Sequence, residues 1–481
     1  MNPLLLTDGY KVDHRRQYPN QTTLVYSNWT PRKSRIEGVE KVVFFGLQYF
    51  LKKYIIKEFN ENFFNKPKKE ICKKYTRRIN NYLGENQVGI KHIEDLHDLG
   101  YIPMVFKALP EGVSVPIKVP MLTMYNSLPQ FFWLTNYFET ILSTTIWLPC
   151  NSATLAKEYR KILDKYAQET SSAPEFVDWQ AHDFSMRGMA GLEAATISSA
   201  GHLLSFLGTD TIPTIDFLED YYNANSDKEI VGKSVAATEH SVMSMGTNSK
   251  EQETFKRLIT EVYPNGIVSI VSDTWDLWKV LTEYLPNLKK DILARNGKVV
   301  IRPDSGNPVT IICGNPNGKS EEERKGVIQL LWEVFGGKIN TKGYKELDQH
   351  IGAIYGDSIT IERTKQICEL LKKKGFASTN IVLGIGSFTY QYNTRDTFGF
   401  AMKATYGEVN TKGREIYKNP ITDDGTKKSA KGLLKIIKEN GIYKMIDQVT
   451  WQEEQTGELK EIFRDGKLLV DLKLSDIRNN I

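Results

Sequence analysis

Ile301-Arg302-Pro303-Asp304-Ser305-Gly306-Asn307-Pro308 is the end of an apolar run that stops abruptly in charge, turn residues and glycine. Val299, Val300 and Ile301 suit a strand buried on both faces, and Pro303, Ser305 and Gly306 suit a tight turn at its tip. An arginine and an aspartate at the C-terminal tip of such a strand point to a ligand rather than to a core. The same grammar recurs. His182-Asp183-Phe184 closes one apolar stretch, Gly208-Thr209-Asp210-Thr211 follows another, and Ser234 to His240 gives a third. Val268 to Asp273, Ile354-Tyr355-Gly356-Asp357 and Ile381 to Ser387 supply three more. Polar, helix-compatible segments such as Ser320 to Phe335 and Thr360 to Lys374 lie between most of them. Strand-then-helix units with polar tips predict an α/β barrel, irregular and TIM-like, whose site gathers at one face.

The 481 residues exceed one barrel, which uses about 250, so a second domain is expected. Up to about residue 150 the strand-tip grammar is absent. Tyr49 to Phe64 and Glu70 to Leu83 read as amphipathic helices, and Phe106 to Leu109, Val113 to Val119 and Met121 to Tyr125 as strands. After Arg395 short strands return, with an Asp465-Gly466 hairpin signal. The division expected is 1–150 as the N-terminal part of a discontinuous α+β sandwich domain, 151–387 as the barrel, and 388–481 as the C-terminal part of the sandwich.

Composition narrows the function classes. No apolar run approaches the roughly 20 residues that span a bilayer, and Met1 to Leu6 lacks a charged start and meets Asp8 at once, so neither a membrane protein nor a signal peptide is expected. Cys72, Cys150, Cys313 and Cys368 match no metal spacing, which predicts reduced thiols in the cytoplasm. The net charge of +5 comes from clusters at Lys66 to Arg78 and Lys427 to Lys438. Only Tyr75 is interleaved with the first, so a solvated helix face is favoured over nucleic-acid binding; for the second, a polyanionic small substrate competes with that reading.

Several strings carry chemistry. Gly314-Asn315-Pro316-Asn317-Gly318-Lys319-Ser320 has three residues between its glycines where a P-loop needs four, and Pro316 removes a donor; a loop before a helix capped by Ser320 is the better account. Gly384-Ile385-Gly386-Ser387 follows an apolar strand and suits phosphate, with Asp357 on the preceding tip suited to ribose hydroxyls. His240 sits among small residues, where Asp273 would accept one ring N–H and leave the other nitrogen as a nucleophile toward phosphorus. Asp210 would select a hydrogen-bond donor and repel an anion, with Phe184 and Arg187 offering an aromatic platform beside a cation.

Taken in order, these strings resemble the nicotinamide phosphoribosyltransferase family nearly end to end. The resemblance starts at Leu6-Thr7-Asp8-Gly9-Tyr10-Lys11-Val12, Gln17-Tyr18-Pro19 and Phe45-Gly46-Leu47-Gln48-Tyr49. It continues through Trp133-Leu134-Thr135-Asn136, the strand tips above, Thr394-Arg395-Asp396 and Lys418-Asn419-Pro420. It implies transfer of phosphoribosyl from phosphoribosyl diphosphate to nicotinamide in NAD salvage, in a homodimer with shared active sites, with Mg²⁺ as cofactor and ATP as co-substrate. No metal-ligating residues are assigned. By resemblance, nicotinamide stacks between Phe184 and the Tyr10 contributed by a second copy, Asp210 accepts the carboxamide N–H, and Arg302 lies near the amide oxygen. Asp304, Gly356 and Asp357 hold ribose; Gly386, Ser387 and the Arg395 of a second copy take the 5-phosphate; Asp8 joins the substrate set. Arg187, His240, Arg302, Lys403 and Lys418, with the Arg32 of a second copy, meet diphosphate, and His240 matches the residue that ATP phosphorylates, with Asp273 and Asp304 beside it in the catalytic group. The family carries consecutive glycines where this chain has Gly386-Ser387-Phe388, which implies that Phe388 narrows the phosphate loop. The alternatives are a nicotinate phosphoribosyltransferase and an inactive barrel that binds ligand.

Overall fold

The computed structural model describes residues 2–84, 87–417 and 430–481. The chain forms two units: Met1–Thr154 with Phe217–Ala224 and Asn393–Ile481, and Leu155–Asp216 with Asn225–Tyr392.

The first unit is α+β. Its seven-stranded antiparallel sheet runs Lys412–Glu415, Ala401–Val409, Thr22–Thr30, Leu122–Asn126, Met104–Ala108, Lys460–Arg464 and Lys467–Leu468. Helical turns from Leu47 to Phe64, then Lys68–Leu83, supply apolar faces to its core. The Lys68–Leu83 helix buries Ile71, Cys72, Tyr75 and Ile79 and turns its lysines outward. Tyr75 is therefore core, and the basic cluster lacks the aromatic that stacking on a base would require. Lys427 and Lys428 lie outside the described residues. Glu111 ties the short segment 217–224 into this unit: it accepts from Gly46 N at 2.8 Å, Gln48 N at 2.6 Å and the Tyr222 hydroxyl at 3.0 Å. At Asp465-Gly466 both residues have positive φ, 50° and 80°, as a two-residue hairpin turn demands.

The second unit is α/β, a curled parallel sheet. Its strands are β1 (Ala181–Asp183), β2 (Gly208–Thr209), β3 (Ala236–Ala237), β4 (Asn265–Val271), β5 (Asn296–Arg302), β6 (Ile351–Tyr355) and β7 (Ile381–Ile385). The order β2-β1-β7-β6-β5-β4-β3 is parallel throughout, and a parallel bridge from Gly208 to Lys233 brings the β2 edge to the segment entering β3. Parallel strands need crossovers. Ser320, accepting from Glu323 N, caps the helix Glu321–Lys325, which leads to Val327–Phe335 and on toward β6; Thr360, accepting from Arg363 N, caps Ile361–Lys373, which leads to β7. The seven polar tips consequently share the C-terminal edge of one sheet. A short hairpin, Gly337–Ile339 with Lys345–Leu347, is an addition absent from the sequence-based expectation. Among the described residues no helix is long and apolar enough to cross a membrane.

Candidate active site

The tips of β1 and β2 build one wall. Strand alternation turns Asp183 inward and leaves His182 and Phe184 together on the other face, their rings 4.7 Å apart. Asp183 is fully buried and organises both tips. It accepts from Ser185 N and Oγ at 3.0 and 2.7 Å, and from the Thr209 and Thr211 hydroxyls at 2.9 Å each. Its backbone carbonyl accepts from Asp210 N at 3.0 Å. Burial alone would raise the Asp183 pKa; the nearby His202 ring and these donors reverse that, and it lies below the ordinary carboxylate value. Burial drives His202 down to about 4, although Asp183 opposes it, and its Nδ1 pairs with the Tyr390 hydroxyl at 2.6 Å.

Asp210 stands at this wall, 43% exposed in its side chain, with His182 Nε2 at 2.8 Å and Ser234 Oγ at 2.6 Å. Partial burial pushes its pKa up, but the His182 hydrogen bond and charge, the Ser234 hydroxyl and Arg302 outweigh burial, so it is held below the usual value and stays ionised. Phe184, Arg187 and Asp210 line one cavity of about 480 Å³ with Met186, Met189 and Leu192. An aromatic face, a cation and an oriented carboxylate within one apolar cleft fit a flat heteroaromatic ring bearing a hydrogen-bond donor.

Arg302 and Asp304 form the second cluster. The guanidinium reaches Asp304 Oδ2 at 3.0 Å and lies over the Phe184 ring at 5.5 Å. Gly356 backs Asp304 so closely that any Cβ there would collide with its carboxylate. Asp357 is exposed just beyond. Burial, then the charges of Asp357, Asp273 and Asp304, push the Tyr355 phenol upward, and its hydroxyl donates to Gly306 O at 2.9 Å.

His240 departs from its expected setting. It opens the helix His240–Met245 rather than ending a strand, and its Nδ1 pairs with the Thr274 hydroxyl at 3.2 Å. Asp273 Oδ1 is 3.9 Å from His240 Nε2, beyond hydrogen-bond reach. Its other oxygen is committed elsewhere, accepting from Asp304 N, Ser305 N and Ser305 Oγ at 2.8, 2.7 and 2.6 Å. Asp273 thus organises the β5 tip, and Thr274, which the sequence did not suggest, orients the imidazole. Gly386 and Ser387 begin a helical turn after β7. Phe388 is 54% exposed and stacks on Tyr392 at 5.5 Å.

The first unit holds the remaining candidates. Tyr10 is 62% exposed, edge-on to His14, with the Lys11 ammonium 5.1 Å from its ring centre. Asp8 accepts from the Thr140 hydroxyl at 2.8 Å. Burial lowers the Lys403 pKa; Glu139 opposes that, while Arg32, Lys11 and Arg395 add to it. Three cations therefore lie close enough to act on Lys403. Lys11 is the member that sequence reasoning missed, and it pairs with Glu139 at 2.6 Å. Lys418 lies outside the described residues. No group of three or more His, Cys, Asp or Glu among the described residues forms a metal cage. The four cysteines are buried and unpaired.

Residues 179–467 match the nicotinate phosphoribosyltransferase family model, and residues 2–104 match the nicotinamide phosphoribosyltransferase N-terminal domain. A nicotinamide phosphoribosyltransferase of Acinetobacter baylyi is 51% identical over all of this chain and 97% of its own length. The chain belongs to the nicotinamide phosphoribosyltransferase family. This is a family of pentosyltransferases in NAD biosynthesis. A Mycoplasma pneumoniae protein of the same description is 38% identical over 89% of this chain and 94% of its own. In fold, the chain resembles a crystal structure of nicotinate-nucleotide pyrophosphorylase from Pyrococcus furiosus, with a TM-score of 0.58 at 16% identity over 98% of this chain and 92% of that one. It also resembles human nicotinic acid phosphoribosyltransferase, with a TM-score of 0.53 at 15% identity over 99% and 93%.

Proposed function

We propose that the chain transfers the 5-phosphoribosyl group of phosphoribosyl diphosphate to nicotinamide, giving nicotinamide mononucleotide and diphosphate. The bond from the anomeric carbon to the diphosphate oxygen breaks, and a bond from that carbon to the pyridine nitrogen forms using the nitrogen lone pair, so no proton need move. Positive charge grows on the sugar and negative charge on the leaving group. Arg302 and Arg187 meet the latter, with a partner copy's Arg32, Lys403 and Lys418 as further cations; Asp304, Gly356 and Asp357 take ribose; Gly386, Ser387 and a partner copy's Arg395 the 5-phosphate. Phe184, with a partner copy's Tyr10, sandwiches the ring in a homodimer with shared sites, and Asp8 supports that segment. The finer fold description, an irregular TIM-like barrel and a sandwich, goes with this reading; the Gly208–Lys233 bridge supports the first.

The observation that carries the reading is the ionised Asp210 beside Phe184 in the cavity. Against nicotinate it would set carboxylate against carboxylate, at a cost of several kcal/mol. Mg²⁺ suits this site as a companion of the diphosphate, since it keeps waters and takes phosphate oxygens with only one or two carboxylates. Asp273 Oδ1, buried and without a hydrogen bond, is the orphaned carboxylate oxygen at these strand tips. The ion would neutralise charge on the leaving group. ATP would phosphorylate His240, whose ring is half exposed, and hydrolysis would be coupled to turnover. Buried, unpaired thiols suit a cytoplasmic setting. Purified protein given phosphoribosyl diphosphate with either nicotinamide or nicotinate should form the mononucleotide of the amide; preference for the acid overturns the assignment in favour of the nicotinate alternative.

A further inference from the structure

Both donors to Asp210 fall on the same oxygen. His182 Nε2 and Ser234 Oγ reach Oδ1 at 2.8 and 2.6 Å, and among the described residues both of these side-chain bonds leave Oδ2 open. The imidazole is itself fixed on two further sides. Phe184 packs against it with ring centroids 4.7 Å apart and planes at 49°. Gly208 approaches so closely that a Cβ there would lie 2.6 Å from Nδ1. Its side chain is only 12% exposed, against 43% for Asp210. Nε2 carries the proton when the neutral ring donates to Asp210, which leaves Nδ1 facing Gly208.

We infer that His182, assisted by Ser234, is the positioning residue that sets base specificity: by saturating Oδ1 it holds the Asp210 carboxylate in one orientation and aims Oδ2 at the substrate's carboxamide N–H. The inference rests on the proposed nicotinamide reaction. A carboxylate whose orientation is fixed before binding loses no rotamer freedom on accepting the amide, and one kept ionised repels an acid in the amide's place. Without the imidazole, Asp210 can rotate or take up a proton, and discrimination between amide and acid falls although the selecting residue is intact.

His182→Ala and His182→Gln test this, the second because the glutamine amide can donate near the Nε2 position. In wild type, formation of nicotinamide mononucleotide establishes the underlying reaction; its failure there would count against the proposed function and not against His182. Given that reaction, His182→Ala should raise the nicotinamide KM about tenfold, the loss expected for one hydrogen bond to a charged group. The kcat at saturating nicotinamide and the KM for phosphoribosyl diphosphate should be kept, use of nicotinate should rise, and His182→Gln should restore most of the preference. If His182→Ala does not fold, Ser234→Ala removes the other donor from an exposed position and should shift KM and preference in the same sense by a smaller factor. An unchanged amide preference in the folded variants, or an equal fall of kcat in the alanine and glutamine forms, overturns the assignment.

Discussion

The strand tips of the α/β unit and the cationic group of the α+β unit handle charge in opposite ways. At the tips three charges already have partners: Asp210 has His182 and Ser234, Arg302 has Asp304, and one oxygen of Asp273 has the β5 turn. In the other unit Arg32, Lys11 and Arg395 each disfavour the charged form of Lys403, and the Glu139 that favours it is already paired with Lys11. The first arrangement is organised before substrate arrives and selects by geometry. The second is incomplete until an anion joins it, so it contributes attraction and charge neutralisation with little shape. On the proposed reaction, discrimination of nicotinamide from nicotinate would belong to the tips, and attraction of phosphate to the cations.

The sharpest way to break this comparison is to disable each region in a different chain. Tyr10→Ala chains and Asp210→Ala chains should each be inactive. Mixed under conditions that exchange subunits, they should recover roughly a quarter of wild-type activity, since half of randomly formed two-fold dimers are mixed and each mixed dimer holds one intact site. Exchange followed by no recovery would show that both residues must come from one chain.

Within the tips, Asp210→Asn should lower kcat/KM for nicotinamide about 10- to 150-fold, from the loss of about 1.5–3 kcal/mol in a charge-assisted hydrogen bond. Use of nicotinate should rise in the same variant. Unaltered selectivity would leave the tips as scaffold and move discrimination elsewhere.

Within the cationic group, Lys403→Ala should raise the KM for phosphoribosyl diphosphate about tenfold, the loss of one contact to a charged group, while nicotinamide KM stays put. The wild-type KM should climb with added salt more steeply than that of the variant, because a solvent-facing cation cluster is screened. A parallel rise in both substrates' KM would erase the division of labour between the two regions.

The tips were also the more legible region. An apolar run that ends in Arg302-Pro303-Asp304 or Gly208-Thr209-Asp210 announces itself, because only a buried parallel strand with a ligand at its end combines those residue types. His182 was not read as functional, though alternation with Phe184 put it on the site face. The cationic group left no local pattern: Lys11, Arg32, Arg395 and Lys403 are scattered, and only the pairing of Thr22–Thr30 with Ala401–Val409, which sets Asn28 opposite Lys403, begins to gather them. The helix Leu134–Thr170 was hidden by Pro149 within it, and the Gly337–Leu347 hairpin by strands of three residues each.

His240 should give the smallest effect on glycosyl transfer itself. Displacement at the anomeric carbon needs positioned reactants and a stabilised leaving group, and neither requires an imidazole. The ring is half exposed, held through Nδ1 by Thr274, with Nε2 turned toward Asp273 at a distance too long for a hydrogen bond. That leaves Nε2 as the nitrogen available to a phosphoryl group. Once phosphorylated it would carry negative charge where metal and diphosphate gather, which favours metal-bridged capture. His240→Ala should consequently abolish ATP hydrolysis and the acid-labile phosphoenzyme while leaving slow mononucleotide formation at saturating phosphoribosyl diphosphate. Thr274→Val, which keeps the shape and removes the hydroxyl, should slow phosphorylation without affecting that basal rate. A His240→Ala enzyme with wild-type ATP hydrolysis and wild-type stimulation by ATP would remove His240 from the coupling altogether.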